Sequence, residues 1–236
     1  MSESVSPQPF DAQHAAGYDD RWRPLAPLRD SLHLQMRFIL QPLPAGARVL
    51  CVGVGTGAEL LALAAFFPGW RFVAVDPSGP MLDVCRRKAS AAGILERCEF
   101  HAGFVHELPP GEPCDAATTL LVSQFLTDRE RRVEFFCEVA RRLRPGAPLV
   151  TADLALAPAG QHEGLLLVWQ EMMRHVGAGE AQIRAMLAAY GRDVALVPPP
   201  ELEALLREGG FEEPVLFSQS LLIHAWFARR RAGAAG

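Results

Sequence analysis

The chain has 236 residues, half of them hydrophobic and 21% charged, with a formal net charge of -4. That length supports one domain, or one domain with a cap, around a substantial core, and the weakly acidic balance argues against a dedicated nucleic-acid binder. No basic-then-apolar leader opens the chain, no apolar run approaches the roughly 18 residues that span a bilayer, and the scattered cysteines form no CxxC pair, so a cytoplasmic protein without a metal site is expected.

Residues 1–9, with Pro7 and Pro9, read as a disordered lead-in. A short helix is predicted from Phe10 to Asp20, followed by Arg21, Trp22 and Arg23 before Pro24. A longer helix fits residues 28–41, with Leu28, Leu32, Met36 and Ile39 as its apolar stripe and Pro42 as its stop. Residues 1–42 are thus expected to form a helical lid segment ahead of a main domain over 43–236.

That domain opens with a buried-type strand at 47–52, which runs into Gly53, Gly55 and Gly57 and then a helix at 58–66. Glycine is needed in such a turn because the backbone bends sharply and a ligand approaches where a side chain would intrude. A second strand at 70–75 ends in Asp76, whose carboxylate suits the two hydroxyls of a ribose. Glycines and acid together read as a nucleoside-cofactor site. Gly53, Gly55 and Ala58 also satisfy the relaxed dinucleotide fingerprint, so the loop alone leaves two cofactors open.

Ser78 caps a predicted helix at 79–92, strand three covers 97–102, and residues 104–113 form a proline-marked loop. Strand four (115–121), a helix capped by Asp128 (129–143) and strand five (147–154) continue the alternation. Two helices, at 160–176 and 179–190, then follow with no strand between them, as a cap inserted at about 158–192. A helix at 200–208 precedes strands at 211–217 and 221–229, and the short link Ser218-Gln219-Ser220 predicts a hairpin. The fold expected is α/β: a doubly wound, mostly parallel seven-stranded sheet with a C-terminal antiparallel hairpin and a helical cap.

The GxGxG loop closed by Gly57 resembles the first motif of class I S-adenosylmethionine-dependent methyltransferases. Cys114-Asp115-Ala116-Ala117, the run Leu143 to Val150, and Gly209-Gly210-Phe211 with its two strands resemble later segments of that family in the same order. Phe10, Tyr18-Asp19, Arg21 and Gln124-Phe125-Leu126 resemble the subgroup related to carboxy-S-adenosylmethionine synthase, which is type 12-like. The resemblance implies S-adenosyl-L-methionine as cofactor, with Tyr18 and Arg21 over its methionine end and Met81 against the adenine; Phe104, outside the family pattern, is a candidate to pack on the ring. Two departures stand out: Phe104 follows Gly103 where relatives often place an acid, and Cys51 stands where many carry one. Glu59, in the first turn of the next helix, is a candidate either to recover an acidic contact with the cofactor's ammonium group or simply to complement the helix dipole.

Gln124 and Asp153, after strands four and five, are the expected catalytic residues, with His162 a second candidate base. Trp22 is a candidate pocket wall. The activity implied is methyl transfer to a small-molecule acceptor, without a membrane or nucleic-acid partner and with a homodimer as the oligomeric option. Two rivals remain: carboxyl transfer onto the cofactor, for which Arg184 or Arg192 would hold the carboxylate, and cofactor binding without catalysis.

Overall fold

The structure, a computed structural model, describes residues 11–158 and 160–232. The expected lead-in over 1–9 and Phe10 lie outside the described residues. Helices α1 (Ala12–Trp22) and α2 (Ala26–Leu40) come first. Seven strands follow, β1 (Arg48–Val52), β2 (Arg71–Asp76), β3 (Cys98–Ala102), β4 (Ala116–Leu120), β5 (Pro148–Leu154), β6 (Phe211–Ser220) and β7 (Ile223–Arg230). They form one sheet in the order β3-β2-β1-β4-β5-β7-β6. The first five are mutually parallel, and β7 runs antiparallel to both β5 and β6.

Alternation along the strands explains why both faces are covered. On one face Val49 and Cys51 of β1 and Phe72 and Ala74 of β2 share a core with Met36, Leu60 and Leu82. Those partners lie on α2, α3 (Ala58–Phe66) and α4 (Gly79–Ala91). On the other face Leu50, Val52, Val73 and Val75 meet Phe136, Leu205 and Trp226. Phe136 belongs to α5 (Arg129–Arg141) and Leu205 to α8 (Pro199–Glu208). Strand order reverses between β1 and β4, so the crevice beyond their carboxyl ends is where such sheets bind ligands.

The cap consists of α6 (His162–His175) and α7 (Glu180–Ala189). It forms a third apolar cluster with Leu154 at the tip of β5 and Leu222 in the β6–β7 turn. This corrects the predicted hairpin link. The turn is Leu221-Leu222, and Ser218 to Ser220 remain in β6. Two leucines in a turn mimic a strand in sequence, but Leu222 is fully buried in the cap cluster, and Leu221 takes a φ of 55°. Strand β6 also carries a bulge between Glu212 and Val215, which accommodates Pro214 at the sheet edge. No helix among the described residues is long and apolar enough to cross a membrane.

Candidate active site

After β1 the chain must leave the sheet and start α3 within a few residues. Gly53 and Gly57 accomplish this at φ of 66° and 84°. A side chain has no room at either: a Cβ on Gly53 would lie 2.3 Å from Val122 Cγ2, and one on Gly57 2.5 Å from Cys85 Sγ. The loop is tied to β2 by Gly53 N–H and Val54 N–H, which donate to the Val75 carbonyl at 2.8 and 3.1 Å.

Asp76, at the tip of β2, is buried and oriented by two backbone donors. Its Oδ2 accepts the Gly55 N–H and its Oδ1 the Ser78 N–H, each at 2.8 Å. Burial pushes its carboxyl above the usual range, while those two N–H groups pull it down. Ser78 also caps α4 through the Met81 N–H at 3.3 Å. Met81 is buried, and its Cε lies 3.5 Å from where a Cβ on Gly55 would stand. Phe104 is exposed, its ring stacked on His106 at 5.7 Å, and its N–H donates to Glu107 Oε2 at 2.6 Å. That amide is therefore already engaged; the ring is the free surface.

Helix α1 lies over this cradle. Asp19 accepts the Thr56 hydroxyl at 2.7 Å and pairs with Lys88 Nζ at 2.9 Å, joining α1 to the glycine loop and to α4. Burial raises the Asp19 carboxyl, but Lys88 and Thr56 outweigh it and leave it below the ordinary value. Tyr18 is raised by burial and by the charges of Asp19, Glu59 and Asp76, which locates the phenol among these carboxyls. Arg21 is exposed beside the Trp22 ring, 5.5 Å from its centroid. Glu59 is buried in the first turn of α3, and burial with Asp76 nearby pushes it up to about 8. Reading the sequence missed the Asp19–Thr56–Lys88 junction, because its members come from three separated segments.

Asp153 and Gln124 are brought together, but their polar groups serve each other. Asp153 Oδ1 accepts the Gln124 N–H at 2.9 Å, and Oδ2 accepts the Ser123 hydroxyl at 2.7 Å and faces Arg132 Nη2 at 3.5 Å. Arg132 Nε donates to the Ser123 hydroxyl at 2.9 Å, and Gln124 Oε1 accepts the Leu154 N–H at 2.8 Å. Asp153 and Arg132 are 0% and 1% exposed on their side chains, so water reaches neither. Burial raises the Asp153 carboxyl against the pull of Arg132, Ser123 and Gln124. Arg132 was absent from the predicted site. Its signal is a charge on the face of α5 that also carries Phe136 and Val139, at helical spacing.

A family model described as a methyltransferase domain matches residues 49–146. The demethylmenaquinone methyltransferase of Thermus thermophilus is 31% identical over 202 residues, which cover 83% of this chain and 83% of that protein. The chain belongs to the S-adenosylmethionine-dependent methyltransferases. Carboxy-S-adenosyl-L-methionine synthase of Campylobacter jejuni is 24% identical across 86% of each chain. A release factor glutamine methyltransferase of Chlorobaculum tepidum is 29% identical over 63% of this chain, which spans about half (52%) of that relative's length. A methyltransferase structure from Methanosarcina mazei shares the fold at a TM-score of 0.61, with 19% identity, covering 83% of this chain and 97% of its own.

The methyltransferase cofactor is S-adenosyl-L-methionine, and the cradle fits it. A carboxylate accepts about four hydrogen bonds, and Asp76 uses one on each oxygen for the backbone, which leaves capacity on both for a ribose diol. Met81 Cε lies 3.5 Å from where a Cβ on Gly55 would stand, and the Phe104 side chain is exposed. Next to this methyltransferase cradle lies the cap cluster, with Trp22, Leu121 and Tyr190 packed against Trp169 and Met173. Trp169 Nε1 donates to the Tyr190 hydroxyl at 2.8 Å. The buried Trp22 Nε1 and His162 Nδ1 find no partner among the described residues.

Proposed function

We propose that the protein moves the methyl group of S-adenosylmethionine to an apolar small molecule held under α6 and α7. The observation that carries this is the cap cluster of Trp22, Leu121, Trp169, Met173 and Tyr190, which is apolar apart from a few nitrogen and hydroxyl groups. An apolar ring bearing one nucleophilic atom suits such a wall, since sites of this kind are largely hydrophobic with few placed polar groups. The name of the Thermus relative points to the same acceptor class, a quinol-type ring.

The cofactor supplies a methyl group activated by its sulfonium, so the protein's work is placement, which is worth up to roughly 7–11 kcal/mol in good cases. In this reading Gly53, Gly55, Gly57 and Asp76 hold the adenosine, and Met81 and Phe104 flank the base. Tyr18 and Arg21 close the methionine end from α1. Asp153 and Gln124 position the strand tips beneath the acceptor, and Asp153 does not take its proton, because its carboxylate is sealed from solvent against Arg132. His162, whose buried Nδ1 has no partner among the described residues, is the candidate base for a protonated acceptor.

Carboxyl transfer onto the cofactor is the second reading, favoured by the Campylobacter relative. It needs a cation facing the cofactor. Arg184 is exposed, and Arg192 is occupied in a surface pair with Asp193 at 2.6 Å. Incubation with methyl-labelled S-adenosylmethionine and a set of naphthoquinols and phenols tests both. Label on an apolar acceptor is expected. A cofactor heavier by one carboxyl group after addition of prephenate would overturn the choice, as would failure of every acceptor to take label.

A further inference from the structure

Beyond the end of β4, consecutive residues each touch a different part of the molecule. Leu121 packs into the cap cluster. Val122 lies against the glycine loop, in the space that a Cβ on Gly53 would take. The Ser123 hydroxyl sits between the buried charges of Arg132 and Asp153, at 2.9 and 2.7 Å. The Gln124 carbonyl accepts the Ala195 N–H at 2.7 Å, where the chain returns from α7. Arg132 Nη1 faces the Ala195 carbonyl at 3.5 Å, so the same guanidinium also reaches the cap's return. The outgoing side of the insert is fixed nearby, since the Leu156 N–H donates to the Val197 carbonyl at 3.0 Å.

Leu121 has a φ of 58°, a left-handed backbone that a residue with a Cβ keeps only when its surroundings hold it there. Here the Leu121 N–H donates to the Ala152 carbonyl at 2.6 Å, and the Ser123–Asp153–Arg132 network clamps the next turn. We propose that residues 121–124 are a rigid link that holds the cap in register with the cofactor loop, and that Arg132 is the positioning residue that keeps this link in shape. Arg132 is buried away from both ligands and acts through Ser123 and Asp153. The inference rests on the cofactor lying on the loop and on the cap roofing the acceptor. Register matters to methyl transfer because a remote change that misplaces the reactants by about 1 Å can cost roughly 100-fold in rate.

Hydrogen exchange with and without S-adenosylhomocysteine tests the link without an acceptor. In wild type the ligand is expected to slow exchange in the loop over 53–58 and also in the cap over 162–190. In Arg132→Met the loop should still be protected and the affinity nearly unchanged, while protection of the cap is lost. Ser123→Ala removes only the hydroxyl between the two charges, and it should give the same pattern even if Arg132→Met fails to fold. Phe136→Leu is the control for plain destabilisation, being fully buried on the same helix as Arg132, and should keep the cap protected. Cap protection that survives in a folded Arg132→Met or Ser123→Ala would overturn the proposal. So would its loss in Phe136→Leu, or a wild-type cap indifferent to the ligand. With a naphthoquinol acceptor, kcat of Ser123→Ala is expected to fall by up to about 100-fold at unchanged KM for S-adenosylmethionine, and an unchanged kcat would contradict the link. A wild type that methylates no naphthoquinol would overturn the acceptor reading, and the exchange pattern would still decide the link. Failure of S-adenosylhomocysteine to bind would overturn the cofactor assignment and the link with it.

Discussion

Asp76 Oδ2 stands 2.8 Å from the Gly55 amide nitrogen, so the carboxylate at the tip of β2 is fastened to the middle of the loop that follows β1. Neither half of the cradle is therefore placed independently. The register of β1 on β2, with Val52 opposite Val75, sets the height of the carboxylate relative to the glycines. The hydrogen bond then sets its direction.

Removing that carboxylate should cost the ribose its charged acceptor. Asp76→Ala is expected to weaken S-adenosylhomocysteine binding by about 1–3 kcal/mol, roughly 5- to 150-fold. Calorimetric titration of the folded variant measures this, and an unchanged affinity would refute the ribose assignment.

Gly53→Ala forces a side chain into a left-handed backbone and against Val122. The strain is expected to destabilise the protein by at least about 1–3 kcal/mol, or roughly 2–12 °C in Tm for a domain of this size. Gly46→Ala is the control, since a Cβ there meets nothing within 4 Å. Equal melting temperatures for the two variants would contradict the steric reading.

The Arg132–Asp153 pair predicts a stability effect that a dispensable general base would not show. Arg132→Met leaves Asp153 buried without its cation, and losses of about 3–5 kcal/mol are typical of such breaks. Urea unfolding is the measurement. Replacing both, as Arg132→Met with Asp153→Leu, is expected to recover part of the loss. An Asp153→Asn variant of wild-type stability that lacked only turnover would favour the base.

Glu59 makes the ligand-free protein sensitive to pH. Its carboxyl is raised from an ordinary 4.5 to about 8, so across that window the native state keeps a proton that the unfolded chain has lost. The stability it contributes is complete below about pH 4.5 and disappears as pH rises through 8. Wild type should therefore lose stability relative to Glu59→Gln between pH 5 and 9, as followed by thermal unfolding. Parallel curves for the two proteins would count against a protonated Glu59.

The cradle and the strand alternation were legible because each is written locally. Apolar runs ending in Gly53 or Asp76, and caps such as Ser78 and Asp128, depend on a few adjacent residues. Both serine and aspartate caps bond the N–H groups expected of them, at Met81 and Arg131. What stayed hidden depends on distant partners. Asp153 at a strand tip looks the same in sequence whether it faces solvent or Arg132, which lies 21 positions earlier on another element. The Asp19 contacts with Thr56 and Lys88 span 37 and 69 positions, respectively. Leu221-Leu222 mimics a strand in sequence because apolarity marks burial, and here a turn residue, Leu222, is buried beneath the cap.

A crystal structure of the protein with S-adenosylhomocysteine tests the central claim most directly. Both ribose hydroxyls should donate to the Asp76 carboxylate, with the adenosine lying against the loop from Gly53 to Gly57. A nucleoside seated elsewhere, or an Asp76 carboxylate turned away from it, would contradict the account.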